Sequence, residues 1–205
     1  MLNSINAIIF DLGGVILNLD YQLTIDAFKA LGKEDFDQLY QQAYQDHIFD
    51  QYECGQISSD EFRNYLKSFY RHEVSYQQID SAWNAMLLDL PPHRLELLRE
   101  LKRKYRIFLF SNTNEIHYEA FRNGIKERYG REDVLEEIFE KTYYSHRVGC
   151  RKPNAEAFQL VLNEQGLEAE KTLFIDDSEQ HIVGASQLGI HTHHLTKGDI
   201  VDIFR

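Results

Sequence analysis

The chain of 205 residues carries 22 Lys and Arg against 33 Asp and Glu, which gives a formal net charge of −11 with neutral histidines. A protein this acidic repels phosphate backbones and anionic lipid, so we expect no nucleic-acid partner and no membrane partner. The hydrophobic fraction of 43% is enough for a folded core and excludes a disordered chain.

The first predicted elements are strands. Three short segments, residues 7–10, 107–110 and 172–175, are apolar at almost every position rather than alternating. Such runs are typical of strands covered on both faces in a parallel sheet. Helical patterns separate them, beginning near Pro91, at Pro153 and near Ile182. This alternation predicts an α/β fold with a Rossmann-like, doubly wound parallel sheet.

The stretch after the first strand breaks this alternation. Apolar spacing there predicts four consecutive helices, at residues 23–31, 36–52, 58–69 and 76–88. A helical insertion at this point would lie over the carboxyl ends of the strands, where α/β sheets bind ligands. We therefore predict a catalytic core of residues 1–17 and 90–205, with a helical cap of residues 18–89 inserted after the first strand.

Cysteine content and hydropathy bear on the compartment. The two cysteines, Cys54 and Cys150, form no Cys-x-x-Cys pattern, and no apolar run approaches the length of about 18 residues that a membrane helix requires. We expect a soluble cytoplasmic protein, either a monomer or a homodimer.

Polar side chains follow each predicted strand directly. Asp11 precedes two glycines, Ser111 and Asn112 follow the second strand, and Asp176 and Asp177 follow the third. Because the ends of parallel strands meet at one edge of a sheet, these groups are expected to converge. Clustered carboxylates repel one another unless a cation or proton intervenes, and oxygen ligands favour Mg²⁺.

A lysine completes the predicted site. Lys152, directly before Pro153, could project its charge into the same space as the carboxylates. A carboxylate nucleophile, Mg²⁺, hydrogen-bond donors and a cation are together what phosphoryl transfer requires.

Four motifs, taken in order, resemble those of the haloacid dehalogenase-like hydrolase superfamily, in the subgroup with a helical cap. They are FDLGGV at residues 10–15, FSNTN at 110–114, RKP at 151–153 and FIDDS at 174–178. The first two motifs are also similar to those of bacterial α-glucose-1-phosphate phosphatases. The resemblance implies a Mg²⁺-dependent phosphatase of a small phosphorylated metabolite, such as an α-hexose 1-phosphate, that works through an aspartyl-phosphate.

The resemblance also implies roles for individual residues. Asp11 would be the nucleophile, and its carboxylate would bind Mg²⁺ together with the backbone carbonyl of Gly13. Asp177 would be a further ligand, with Asp176 either a ligand or its partner. Three residues would contact the phosphoryl group: Ser111, Asn112 and Lys152. Lys152 would also balance the charge of the nucleophile.

Gly13 departs from the pattern of the family. Most phosphatases of this superfamily have a second Asp there, which acts as general acid and base. Two explanations stay open. An anomeric sugar oxygen leaves with little need of protonation, which predicts faster turnover of 1-phosphates than of 6-phosphates. Alternatively, the cap supplies the missing group from His47, Asp50 or Glu53.

Two other functions compete with the phosphatase. One is a non-catalytic protein of the same fold that binds a phosphorylated ligand or a partner, with Gly13 marking lost chemistry. The other is a haloacid dehalogenase, which would release halide without metal.

Overall fold

Five parallel strands form the centre of the fold in the computed structural model, which describes residues 4–36 and 47–204. They are β1 (Ala7–Phe10), β2 (Arg106–Ser111), β3 (Lys141–Tyr144), β4 (Thr172–Asp176) and β5 (His191–His194), in the order β3-β2-β1-β4-β5. The expected doubly wound α/β sheet is confirmed. The three predicted strands are its central ones, whereas the edge strands β3 and β5 were not predicted.

The two faces of β1 show why its sequence is apolar throughout. Ile8 and Phe10 pack into one hydrophobic cluster, while Ala7 and Ile9 pack into another on the opposite face. All four side chains are fully buried. Because β1 lies between β2 and β4, the residue that follows it, Asp11, emerges at the centre of the sheet edge.

Within the described residues, helices follow the first strand. They are α1 (Tyr21–Ala30), α2 (Ile48–Glu53), α3 (Ser59–Lys67) and α4 (Tyr76–Trp83), and a 3₁₀ turn (Asn84–Met86) ends the series. Capping boxes at Ser58 and Ser75 start α3 and α4, since each serine bonds the backbone three residues on. Of the helix predicted at 36–52, α2 is the final part, and residues 37–46 lie outside the described ranges.

These helices have a hydrophobic cluster of their own. It joins Phe28, Phe62 and Trp83 with other aromatic and aliphatic side chains, and Ile116 is its contribution from the rest of the chain. The two segments that lead into and out of this region pair with each other: the amide of Asn18 donates to the carbonyl of Asp89 at 2.9 Å, and their side chains are 2.8 Å apart. We propose that residues 18–89 form the cap.

The core helices cover the two faces of the sheet. They are α5 (Pro92–Leu101), α6 (Glu115–Tyr129), α7 (Val134–Ile138), α8 (Ser145–Val148), α9 (Ala155–Gln165) and α10 (Glu179–Ser186), with 3₁₀ turns at Ala169–Lys171 and Ile200–Ile203. α6 was not predicted, although Asn114 caps its start and Gly130 ends it. Across the described ranges, every helix is too short or too polar to cross a bilayer.

Candidate active site

The carboxyl ends of β1, β2 and β4 bring the sequence-predicted site residues together. Lys152 lies among them with no solvent exposure. Its Nζ is 2.6 Å from Oδ1 of Asp11 and 2.7 Å from Oδ2 of Asp176. The rings of Phe110 and Phe174 flank the same ammonium group, with centroids at 5.4 and 5.2 Å. One buried cation therefore joins two strand ends.

Three carboxylates share this small volume. Asp11, Asp176 and Asp177 each offer an oxygen atom, and these atoms all lie within 4.8 Å of one another. Burial raises the pKa of Asp11 to about 7 and also raises the pKa of Asp177. Three acidic groups facing one ammonium group leave an excess of negative charge, and the donors are all oxygen. This set fits a hard divalent cation such as Mg²⁺.

Asp176 and Asp177 differ in what they can still bind. Oδ1 of Asp176 accepts from the amide of Ser178 at 2.8 Å and lies 2.9 Å from Nδ1 of His181, while Lys152 holds Oδ2. Burial opposes the charge of Asp176, but Lys152 and His181 outweigh it and lower its pKa. Asp177 lines the open cavity instead. The geometry therefore favours Asp177 as a ligand and Asp176 as the group that positions its neighbours.

The two glycines after Asp11 are required for different reasons. Gly14 has φ +72°, and a Cβ there would lie 2.1 Å from Oδ2 of Asp177. Any side chain would displace that carboxylate. At Gly13, a Cβ would lie 2.6 Å from Cδ1 of Leu19. Leu19, at the entry to the cap, thus occupies the space next to residue 13 that a larger side chain would need.

Two residues of the FSNTN motif, Ser111 and Asn112, make different contacts. The side-chain amide of Asn112 donates to the carbonyl of Lys152 at 2.8 Å and accepts from the amide of Lys152 at 3.0 Å. That side-chain amide group therefore holds the Lys152 backbone. Ser111 is buried, and its hydroxyl makes a 3.4 Å contact with the Asn112 carbonyl at the cavity wall.

A cavity of about 250 Å³ opens from these residues towards the cap. Among the three cap residues considered as a substitute acid, Glu53 lines the cavity, while Asp50 and His47 are not in its wall. Arg151 of the core forms ion pairs with two of these residues. It pairs with Asp50, and its Nε lies 2.8 Å from Oε2 of Glu53. Burial raises the pKa of Glu53 despite this pairing.

Several residues of the cavity were missed by sequence reasoning. Arg151 stood in a quoted motif, but its contacts with the cap are about a hundred positions away in the chain. Other wall residues that the sequence did not indicate include His117, His181 and Met86. His117 lies on α6, the helix that was not predicted. The sequence signal for this helix was Asn114, the N-cap residue directly before it.

The model of the haloacid dehalogenase-like hydrolase family matches residues 5–189. The chain belongs to this family. A D-ribitol-5-phosphate phosphatase of Bacteroides thetaiotaomicron is 29% identical over 195 residues, which cover 95% of this chain and 93% of that protein. The resemblance inferred from the four motifs is thus confirmed.

Solved structures of haloacid dehalogenase-like proteins share the whole fold. An enzyme of the family from Bacteroides thetaiotaomicron, crystallised with magnesium and inorganic phosphate, is 38% identical, with a TM-score of 0.86 over 98% of this chain and 100% of that one. A hydrolase of the same kind from Porphyromonas gingivalis is 31% identical, with a TM-score of 0.85 over 98% and 97%. The fold is therefore common to these proteins over almost the whole chain.

Proposed function

We propose that this chain is a Mg²⁺-dependent phosphatase of small phosphorylated sugars or sugar alcohols. The observation that carries the proposal is the cluster of Asp11, Asp176 and Asp177 around the buried Lys152, beside a cavity that residues of the cap also line. The magnesium and phosphate bound by the similar enzyme, and the substrate of the ribitol-phosphate phosphatase, support it.

The carboxylate of Asp11 is the proposed nucleophile. Lys152 holds Oδ1, so Oδ2 is the oxygen left to attack phosphorus. That attack forms the Oδ2–P bond and breaks the bond between phosphorus and the ester oxygen; water then hydrolyses the aspartyl-phosphate. Lys152 fixes the orientation of the carboxylate, and the Ser111 hydroxyl and the Asn112 N–H bind the phosphoryl oxygens.

Magnesium would be held by Asp11, Asp177 and the carbonyl of Gly13, with Asp176 at their side. When bound there, it neutralises charge on the phosphoryl oxygens as they pass through the transition state. Gly13 lines the cavity, and within the described part of the chain its carbonyl accepts none of the backbone hydrogen bonds that hold the turn, so this oxygen is available.

The substrate class can be tested by phosphate release. The panel comprises ribitol 5-phosphate, α-glucose 1-phosphate, glucose 6-phosphate and p-nitrophenyl phosphate, each with Mg²⁺ or with EDTA. We expect Mg²⁺-dependent turnover of at least one sugar or polyol phosphate. A higher rate on the 1-phosphate than on the 6-phosphate would support the leaving-group explanation of Gly13, and equal rates would contradict it.

The same panel separates the competing functions. A sugar phosphate that binds in calorimetry without any Mg²⁺-dependent turnover would replace the phosphatase by a binding protein. Halide release from a 2-haloacid in EDTA would identify a dehalogenase. The cytoplasmic location stays part of the proposal, and it agrees with both cysteines being free thiols.

Glu53 is our candidate for the acid that Gly13 cannot provide. It lines the cavity, and its raised pKa keeps it protonated to higher pH than an ordinary glutamate, with Arg151, Asp50 and Lys152 as the charged groups around it. We expect Glu53→Gln to lower kcat on alkyl phosphates about 100-fold or more, the usual value of general acid catalysis. Turnover of p-nitrophenyl phosphate should be spared, because nitrophenolate leaves without a proton.

The pH dependence gives an independent check on Glu53. An acid must carry its proton, so wild-type kcat on alkyl phosphates should decline as pH rises through the raised pKa, and Glu53→Gln should lack that decline. Asp50→Asn is the matched control, since Asp50 also pairs with Arg151 but lies outside the cavity wall. Equal losses on both kinds of ester would show that Glu53 acts only by holding Arg151.

A further inference from the structure

One buried side chain in the cavity wall has no part in the phosphoryl transfer described above. His117, on the first turn of α6, is only 8% exposed and lines the same cavity as Asp11 and Asp177. Burial lowers its pKa to about 3, so the imidazole is neutral throughout the physiological range. A buried neutral histidine at a binding cavity calls for an account of both of its ring nitrogens.

Three contacts hold the His117 ring in one orientation. It stacks on the indole of Trp83 with centroids 4.9 Å apart and planes inclined by 7°. Its backbone amide donates to Oδ1 of Asn114 at 3.0 Å, and the indole N–H of Trp83 lies 3.4 Å from the same oxygen. Its Nδ1 is 2.8 Å from Oδ1 of Asn84. These contacts restrict rotation of the imidazole ring about the side-chain bonds.

The contact with Asn84 also sets the tautomer. A carbonyl oxygen can only accept, so with Asn84 in this orientation the proton of the neutral ring is on Nδ1. Nε2 is then an acceptor with its lone pair in the ring plane. Within residues 4–36 and 47–204, no side-chain or backbone donor bonds to Nε2. This nitrogen is also not fully enclosed by protein atoms. Nε2 is therefore accessible at the wall of the cavity.

We propose that Nε2 of His117 accepts a hydrogen bond from a hydroxyl group of the substrate's leaving-group portion, and that His117 thereby selects phosphate esters whose leaving-group portion is uncharged and polyhydroxylated. The proposal rests on the phosphatase function and narrows its substrate class. Much of the cavity wall around His117 is apolar, with Trp83, Met86 and Phe121 among its residues, so an unpaired acceptor there stands out as a point of polar recognition.

The neutral state of the ring decides which substituent it favours. A protonated histidine would attract a carboxylate or a second phosphate, but a neutral acceptor repels these groups and binds an O–H donor. The part of the cavity next to His117 therefore disfavours binding of phosphorylated hydroxy acids and bisphosphates. Sugar and sugar-alcohol phosphates, whose remaining substituents are hydroxyls, suit it.

The test compares His117→Phe with the wild type on two kinds of ester. Phenylalanine keeps the stacking on Trp83 and removes the acceptor. We expect KM for the best sugar or polyol phosphate of the panel to rise about tenfold to a hundredfold, as for a lost hydrogen bond at a buried partner. KM and kcat for p-nitrophenyl phosphate, which carries no hydroxyl, should stay within about twofold. His72→Phe, the same change at an exposed histidine, is the matched control.

Deoxy analogues of that substrate test the contact without relying on the variant's folding. With the wild type, removal of one particular hydroxyl should raise KM by the factor that His117→Phe produces, and the variant should not distinguish this analogue from its parent. Asn84→Ala should weaken binding of the parent compound selectively, because the ring loses its fixed tautomer.

The outcomes separate this inference from the proposed function. If the wild type hydrolyses no phosphate ester with Mg²⁺, the phosphatase itself is wrong. If it does, then equal losses on p-nitrophenyl phosphate and on the sugar phosphate would show that His117 is merely structural. Unchanged KM in the variant, or a wild type that tolerates the removal of every hydroxyl, would overturn the role of Nε2.

Discussion

Replacing Asp11 with Asn is expected to abolish phosphate release while leaving the protein folded. The amide cannot form the bond to phosphorus, and loss of a nucleophile that acts with its partners costs about 10⁴- to 10⁶-fold in kcat. Substrate affinity should change far less, because the cavity wall and the Lys152 ammonium group remain in place. Measured by phosphate release at saturating Mg²⁺, the variant should be indistinguishable from buffer.

The stability of Asp11→Asn distinguishes a catalytic residue from a structural one. In EDTA, we expect its melting temperature to equal or exceed that of the wild type, since burial of a third carboxylate around one ammonium group is unfavourable. Mg²⁺ should stabilise the wild type more than the variant, as binding to the folded state alone requires. Asp26→Asn, at an exposed position of α1, is the matched control. Residual Mg²⁺-dependent turnover in Asp11→Asn would exclude Asp11 as the nucleophile.

The convergence of the site residues was predictable because it depends on topology alone. Asp11, Ser111 and Asp176 each stand at the end of a continuously apolar strand, and parallel strands present such ends at one edge. Lys152 could be assigned from its motif, whereas the way Asn112 holds its backbone could not. That pair of hydrogen bonds depends on side-chain orientations that no spacing encodes.

The missed elements lack an apolar signal of their own. β5 consists of His191–His194 and is half-buried at one edge of the sheet, while β3 begins with an exposed Lys141 at the other edge. Both segments become strands because each pairs with a central strand. Tertiary context, rather than local propensity, therefore decides their conformation. The wall of the cavity is hidden for a similar reason: His117 meets Trp83 and Asn84 from more than thirty positions away.

Lys152→Met should be the most destabilising single change at the site. Methionine has a similar length but no charge, and it would leave Asp11 and Asp176 facing each other in a buried environment. Removal of one partner from a buried ion pair costs about 3–5 kcal/mol in the free energy of unfolding. Denaturation in urea, with EDTA present, measures this loss. Lys171→Met, which removes an exposed pair with Glu168, should leave the free energy of unfolding nearly unchanged.

A second variant shows whether the cost comes from the carboxylates or from the lost lysine packing. If charge repulsion is the cause, Asp11→Asn should add more stability to Lys152→Met than it adds to the wild type. Loss of the contact between the ammonium group and the rings of Phe110 and Phe174 would give no such rescue. Mg²⁺ should also recover more stability in Lys152→Met than in the wild type, because the cation then takes over the charge balance that the ammonium group supplied. Purely additive effects of the two substitutions would contradict the view that Lys152 is held by its carboxylates.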